Sequence, residues 1–299
     1  MKGCWIDFNI HDMGNCCLER MKLSRERDNS VIISELYRYP LKGGQGEALQ
    51  ASALLGTGFP CDRRWLLVDS SGRFVSQREQ SILALVKTEV TDSLHFHFRD
   101  QTLSLPRQAL LEQSRQVTVW NDKVEAWDLG EEAATFFSRI LQRSIRLCEA
   151  KASGHRLVPE AYTESQRVEY LFADGFPYLI ISQESLDLLN ENLVKSEQAA
   201  VSMDRFRPNI VIKGWQAHAE DTVQTLCVGR HVRLRLAKHC SRCNVIQIDQ
   251  TTALSSEEPL ATLARYRKLS GSKIYFGMNA WLLEGAGQEI QLGDSVRVE

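Results

Sequence analysis

The chain has 299 residues, 43% of them hydrophobic and 25% charged, with a formal net charge of −2. That length and balance suit a globular protein of one large or two medium domains, and near-neutral charge argues against a general nucleic-acid binder. Eight cysteines at irregular spacing do not form a secreted disulfide framework and no run approaches a membrane-spanning helix, so a cytoplasmic protein without nucleic-acid or membrane partners is expected.

Residues 1–30 mix Cys4, Cys16 and Cys17 with Glu19, Arg20, Arg25, Glu26, Arg27 and Asp28. They lack the apolar core of a signal peptide and read as a poorly ordered extension, with a short docking helix as the alternative. From Val31 the pattern turns to strands, over 31–33, 36–39 and 64–68, each bounded by Gly, Pro or Asp. Between them lies Tyr39-Pro40-Leu41-Lys42-Gly43-Gly44-Gln45-Gly46, a glycine-rich loop with a lysine. Such loops let backbone N–H groups and an ammonium approach a phosphate, but Walker spacing is missing, and a plain turn with a solvated lysine is the simpler reading of the loop alone.

Asp62-Arg63-Arg64-Trp65 follows, then Asp69-Ser70-Ser71-Gly72-Arg73 as a hairpin turn and Ser76-Gln77-Arg78. Leu94, Phe96 and Phe98 alternate with His95, His97 and Arg99, the signature of a half-buried strand whose histidines face solvent rather than a metal. Residues 117–127 read as a hairpin around Asn121-Asp122. Residues 131–141 read as a helix with Ala133, Phe137, Ile140 and Leu141 at core spacing. The charged, turn-rich stretch 147–165 is the expected domain boundary.

Beyond it, Phe172-Ala173-Asp174-Gly175-Phe176-Pro177 leads into a strand at 178–181, and Ser182 is placed to cap a helix burying Leu186, Leu189 and Leu193. A helix amino terminus also binds anions, which gives Ser182 a second candidate role. Met203-Asp204-Arg205-Phe206-Arg207-Pro208-Asn209 sets two arginines and an amide before an apolar strand. Guanidinium forks suit phosphate or the carbonyl edge of a ring, whereas pairing with Asp204 or Glu220 accounts for them equally well. Strands at 226–228, 274–283 and 290–298 and a helix near 259–266 complete the chain.

The stretch from Arg233 to Asp249 carries the densest chemistry. Alternating Val232, Leu234 and Leu236 precede Cys240 and Cys243, and the β-branched Val245, Ile246 and Ile248 follow, so the cysteines are expected at a bend between two strands. Lys238, His239 and Arg242 bring actual or potential positive charge that favours thiolate. Four readings stay open: a redox pair, which lacks its helix; structural zinc, which lacks a fourth ligand; two small buried residues; and a soft metal taking one thiolate from the protein and its other ligands from a cofactor.

Cys240-Ser241-Arg242-Cys243 with its apolar run and Asp249, and Phe206-Arg207-Pro208-Asn209-Ile210-Val211-Ile212 upstream, resemble the MOSC domain, named for the carboxyl terminus of molybdenum-cofactor sulfurases, and most of all its amidoxime-reducing branch. The resemblance covers about Val31 to Glu299. It implies a mainly β protein with peripheral helices (α+β), with an amino-terminal β-barrel-like domain over 31–150 and a MOSC β-barrel domain over 165–299.

It further implies molybdopterin in the groove between them, with Cys243 as catalytic residue and metal ligand. Lys42, Arg63, Arg207 and Asn209 would hold the cofactor, with Arg205 and Ser182 as further candidates. Relatives often have Ser where Gly43 stands, which leaves one cofactor hydrogen bond open.

The implied activity is two-electron removal of oxygen from amidoximes, hydroxylamines and N-hydroxylated bases. Electrons would come from a separate flavin or iron–sulfur partner, since no iron–sulfur cluster is expected in this chain. Pyridoxal phosphate is not expected, because the aminotransferase-like domain of the sulfurases is too large to fit. The alternative is a molybdenum-cofactor carrier or sulfur-relay module without turnover.

Overall fold

The computed structural model describes residues 30–106 and 113–299. The extension expected over 1–30 lies, apart from Ser30, outside the described residues. The described part is mainly β with peripheral helices, arranged around one eight-stranded sheet and four smaller ones.

The large sheet runs in the order Val296–Val298, Thr225–Val228, Val232–Arg242, Ile274–Glu284, Tyr178–Ser182, Ile210–Lys213, Ile32–Arg38 and Glu47–Leu49. Its one parallel pair, Tyr178–Ser182 beside Ile210–Lys213, is joined by the helix Gln183–Lys195, as parallel strands require a crossover. Alternation decides the packing. Tyr178 and Ile180 join Ile33, Leu36, Ile210 and Leu234 in one core, whereas Leu179 and Ile181 join Leu186, Leu189, Leu193 and Phe206 under the helix. Gly277 makes close approach possible here: at φ +79 it lies so near this strand that a Cβ would meet Ile181 at 2.6 Å.

The expected barrels are not closed. The large sheet curls until the Ile33 N–H donates to Asp294 O at 3.0 Å and the Val296 N–H to Val31 O at 2.7 Å, but only the single bridge Ile32–Ser295 links its ends. Val296–Val298 is three residues long and already paired to Thr225–Val228, too short to build a second ladder. The amino-terminal half likewise holds separate sheets. One has the order Trp65–Asp69, Ile145–Ala150, Asp122–Asp128 and Gln113–Val119, and the other is formed by Lys87–Val90, Ser93–Phe98 and Gln101–Pro106. The helix Gly130–Leu141 packs Ala133, Phe137 and Leu141 onto Phe96, Leu67 and Leu147.

Three local differences from the sequence reading have plain causes. Residues 31–39 hold one strand with a bulge, Ile32–Arg38, rather than two, and this strand pairs with Ile210–Lys213 in the carboxyl-terminal sheet, so the pairing does not divide between 31–150 and 165–299. Leu147 belongs to the strand Ile145–Ala150, because its apolar residues complete the core under Trp65–Asp69. Residues 290–298 are two short strands, separated by a turn in which Asp294 accepts the Gln291 N–H. His95 and His97 bond to Ser104 and Thr102 across the hairpin, a surface role.

Candidate functional site

A cleft of about 180 Å³ opens where the glycine loop, the tip of the Gln113–Asp128 hairpin, residues 173–179, the Phe206–Asn209 turn and the cysteine segment meet. One water needs about 10–15 Å³ of such space, so the cleft is sized for a multi-ring molecule rather than a lone ion. Lys42, Arg63, Arg207, Asn209 and Cys243 all line it; Ser182 and Arg205 do not.

Three cations come from both halves of the chain. The buried Lys42 ammonium donates to Phe172 O at 2.8 Å and pairs with Asp174. Burial lowers its pKa, an effect the Asp174 charge partly offsets. Gly43 beside it sits at φ +84, a conformation that strains any side-chain-bearing residue, so the missing hydroxyl has a backbone reason. Arg63 donates through Nη1 to Asn209 Oδ1 at 3.0 Å and through Nη2 to Arg207 O at 3.0 Å. Its charge is met by Asp62, a buried carboxylate that also accepts the Tyr39 N–H at 2.7 Å.

Arg207 uses Nη1 on Gly44 O at 2.7 Å, while its Nη2 and Nε have no hydrogen-bond partner among the described residues. Burial brings its pKa down to about 10, with Arg63 nearby adding to the shift. Both guanidiniums stack on the buried Tyr39 ring, at 4.3 Å for Arg63 and 4.2 Å for Arg207. Cation–π attraction to one ring lets two like charges sit close together. Arg63 and Arg207 also occupy left-handed backbone, φ 44 and φ 56, which costs about 1–3 kcal/mol each and recurs at ligand clamps.

Asn209 plays a different part from the other cleft residues. Its Oδ1 accepts from Arg63 and from the Leu179 N–H, and its Nδ2 donates to Tyr37 O and Asp62 Oδ2. All four positions are taken by protein, so Asn209 orients Arg63 and has nothing left for a ligand.

Two further sequence candidates are corrected besides Asn209. Ser182 is fully buried: it caps its helix by accepting the Ser185 N–H and donates to Glu220 at 2.8 Å. Its anion is therefore an internal carboxylate, raised above its ordinary pKa by burial. Arg205 pairs with Asp249 at 2.8 Å and donates to Gln247 O at 3.2 Å, which braces the loop after the cysteines. That pairing is with neither Asp204 nor Glu220, the two partners its spacing offered.

The cysteine segment is not a bend between two strands. Val232–Arg242 is one strand that includes Cys240, and Asn244–Gln247 is a 3-10 turn that begins after Cys243. Asp249 accepts the Thr251 and Thr252 N–H groups, closing a loop where β-branched composition alone pointed to a strand. With the backbone extended, Cys240 and Cys243 stand roughly 10 Å apart at about 3.3 Å per residue, beyond the reach of about 7 Å for a disulfide.

Both cysteines line the cleft; Cys243 is exposed, whereas Cys240 is half-buried and packs partly against the core below the helix. Of the three basic residues near them in sequence, Arg242 is the one that reaches a thiol among the described residues, with Nη1 3.1 Å from Cys240 Sγ. Lys238 stacks on Tyr162 and His239 faces Asp221.

Other cleft residues carried no role in the sequence reading. Asp174 is held below the usual carboxylate range: enclosure by the protein opposes its charge only weakly, since its side chain is 75% exposed, and Lys42 and the Trp120 N–H outweigh that. Its motif, 172–177, was the available signal. Trp120 stands at a hairpin tip, and an aromatic at a turn is the only sequence sign of it. Gln77 and Gln250 exchange two hydrogen bonds, of 3.1 and 3.2 Å, and tie Gly43 O to the loop after Cys243. No local pattern announces that pair.

The MOSC N-terminal beta barrel domain matches residues 30–144, and the MOSC domain matches residues 167–297. Molybdenum cofactor sulfurase of Oryza sativa subsp. japonica is 29% identical over 91% of this chain, which spans 36% of that protein. Mitochondrial amidoxime reducing component 2 of Bos taurus is 32% identical over 79% of the chain and 72% of the relative. Mitochondrial amidoxime-reducing component 1 of Mus musculus is 30% identical over 95% of the chain and 87% of the relative.

Proposed function

This chain belongs to the MOSC family, and from that premise we propose that it is a molybdenum-cofactor-binding reductase that removes oxygen from N-hydroxylated compounds. The observation that supports this most is one exposed thiol, Cys243, on the same cleft as Lys42, Arg63 and Arg207. Among the described residues no group of three or more His, Cys, Asp and Glu is placed to hold a metal ion. On the family's pattern, a metal on Cys243 would take sulfur ligands from a pterin rather than from further protein side chains.

The donor set fits such a molecule. The free Nη2 and Nε of Arg207 and the ammonium of Lys42 are charge-assisted donors for its phosphate. Arg63, fixed by Asp62 and Asn209, adds a third cation, and Phe74, Trp120 and Phe206 line the cleft with apolar surface that limits water. Bound there, the molybdenum cofactor supplies a two-electron couple. Reduction of an amidoxime to an amidine consumes two electrons and two protons and releases water. The electrons come from a separate flavin or iron–sulfur partner. We place the protein in the cytoplasm, a reading supported by five free thiols among the described residues. No helix among the described residues is long and apolar enough to cross a membrane.

Molybdenum and pterin analysis of protein from a host that makes the cofactor, with benzamidoxime and an artificial electron donor, tests the proposal. Wild type should carry the metal and turn over. Cys243→Ala should lose more than tenfold in retained molybdenum, and Cys240→Ala should lose far less. Equal metal in wild type and Cys243→Ala overturns the assignment.

A cofactor carrier or sulfur relay is the second reading, favoured by the exposure of Cys243 and by the match to the rice sulfurase over most of the chain. It predicts bound cofactor, no turnover, and ready transfer to an apo-acceptor.

A further inference from the structure

Trp120 lines the cleft and leaves 41% of its surface open, although it is held from several sides. Its Nε1 donates to Asp174 Oδ1 at 3.1 Å. The Phe74 ring lies 5.0 Å away and the Arg78 guanidinium 4.4 Å over the indole. Nothing in this arrangement buries the ring, so it does not serve as core. Its backbone is also unusual: at φ 59, at the turn between Gln113–Val119 and Asp122–Asp128, it holds a left-handed conformation that bulky residues seldom adopt. Such positions persist where the surroundings enforce them, and they gather at ligand clamps. Apart from its N–H, which donates to the carboxylate that pairs with Lys42, the indole serves neither the cation grip nor the thiol.

We propose that Trp120 is a stacking platform for a planar conjugated ring bound in the cleft. An indole restrained by its N–H and by Arg78 has less rotamer freedom to lose when the ligand arrives, and an offset ring stacked on it gains directional attraction beyond its area. Two sources of such a ring follow from the proposed function, on which this inference rests: the pterin of the cofactor, or the aromatic ring of the substrate. Asp174 joins Trp120 to Lys42, so the platform and the phosphate end of the cleft share one carboxylate.

Trp120→Leu removes the ring, and Trp120→Phe keeps a smaller one. In cofactor-loaded protein three quantities are measured: retained pterin and molybdenum, and KM for benzamidoxime and for hydroxylamine, which has no ring. If the pterin stacks, Trp120→Leu retains at least tenfold less pterin and Trp120→Phe recovers most of it. If the substrate stacks, pterin is unchanged and KM for benzamidoxime rises at least tenfold. Hydroxylamine then stays within twofold, and Trp120→Phe again recovers most of the loss. A Leu variant equal to wild type in pterin and in the ratio of the two KM values overturns the platform.

A wild type that holds molybdenum yet reduces neither substrate refutes the reductase and leaves the platform to be decided by pterin retention. Where wild type holds no cofactor, or Trp120→Leu does not fold, quenching of indole fluorescence by benzamidoxime and, separately, by a free pterin decides. The platform predicts quenching of wild type by one of the two that is at least halved in Trp120→Phe; quenching by neither overturns it.

Discussion

The strand Tyr178–Ser182 carries a buried polar network at each end, and the two differ in what they leave unpaired. At its start, Leu179 donates to Asn209, which with Asp62 fixes Arg63 beside the cleft. At its end, the Ser182 N–H and hydroxyl and the Ser185 hydroxyl all converge on Glu220. Each network buries a carboxylate. The first is compensated by a guanidinium and adjoins Arg207, which still has free donors; the second is closed on itself without a cation. Spare donors facing open space, rather than buried charge as such, distinguish the binding end from the structural end.

The contrast is open to test. Asp62→Ala leaves the half-buried Arg63 without its ion-pair partner and the Tyr39 N–H without its acceptor, and should cost about 3 kcal/mol in urea unfolding. A loss under about 1 kcal/mol would place the carboxylate outside the network. Ser182→Ala should cost about 1 kcal/mol, the worth of a lost helix cap, with molybdenum content unchanged. Loss of metal in that variant would erase the division between the two ends.

The smallest effect concerns pH. Burial raises Glu220 above its ordinary 4.5, although hydroxyls and an N–H favour its charged form. Its contribution is therefore fully present below the unfolded-state value and is lost as pH rises through the higher folded value. Glu220→Gln should flatten that decline and shift stability at pH 8 by under about 1 kcal/mol. An unaltered pH profile in the variant would contradict the closed network.

Local pattern made much of this legible. Alternation of Leu94, Phe96 and Phe98 and the spacing of Leu186, Leu189 and Leu193 mark elements the structure contains, because burial on one face imposes a period. The cleft was half legible. Lys42, Arg63, Arg207 and Cys243 meet there, but Ser182 and Arg205, of equally suitable chemistry, are taken by Glu220 and Asp249. Which partner a polar side chain finds is settled by tertiary approach, not by its neighbours in sequence. The same holds for Gln77 and Gln250, which are 173 residues apart. The turn after Cys243 was misread for another reason: Val245, Ile246 and Ile248 have strand composition, yet Asp249 ties the backbone into a loop.

The strand Ile32–Arg38, which comes first among the described strands, completes the sheet formed by the last third of the chain. A fragment beginning near residue 165 would therefore expose the apolar flank of Ile210–Lys213 with a row of unsatisfied amides and carbonyls, a surface that recruits strands from other molecules. The two halves are thus stitched together by the chain itself. Any attempt to express the cysteine-bearing half alone would have to supply a substitute for that missing neighbour, either as a tethered peptide or by circularly rearranging the gene.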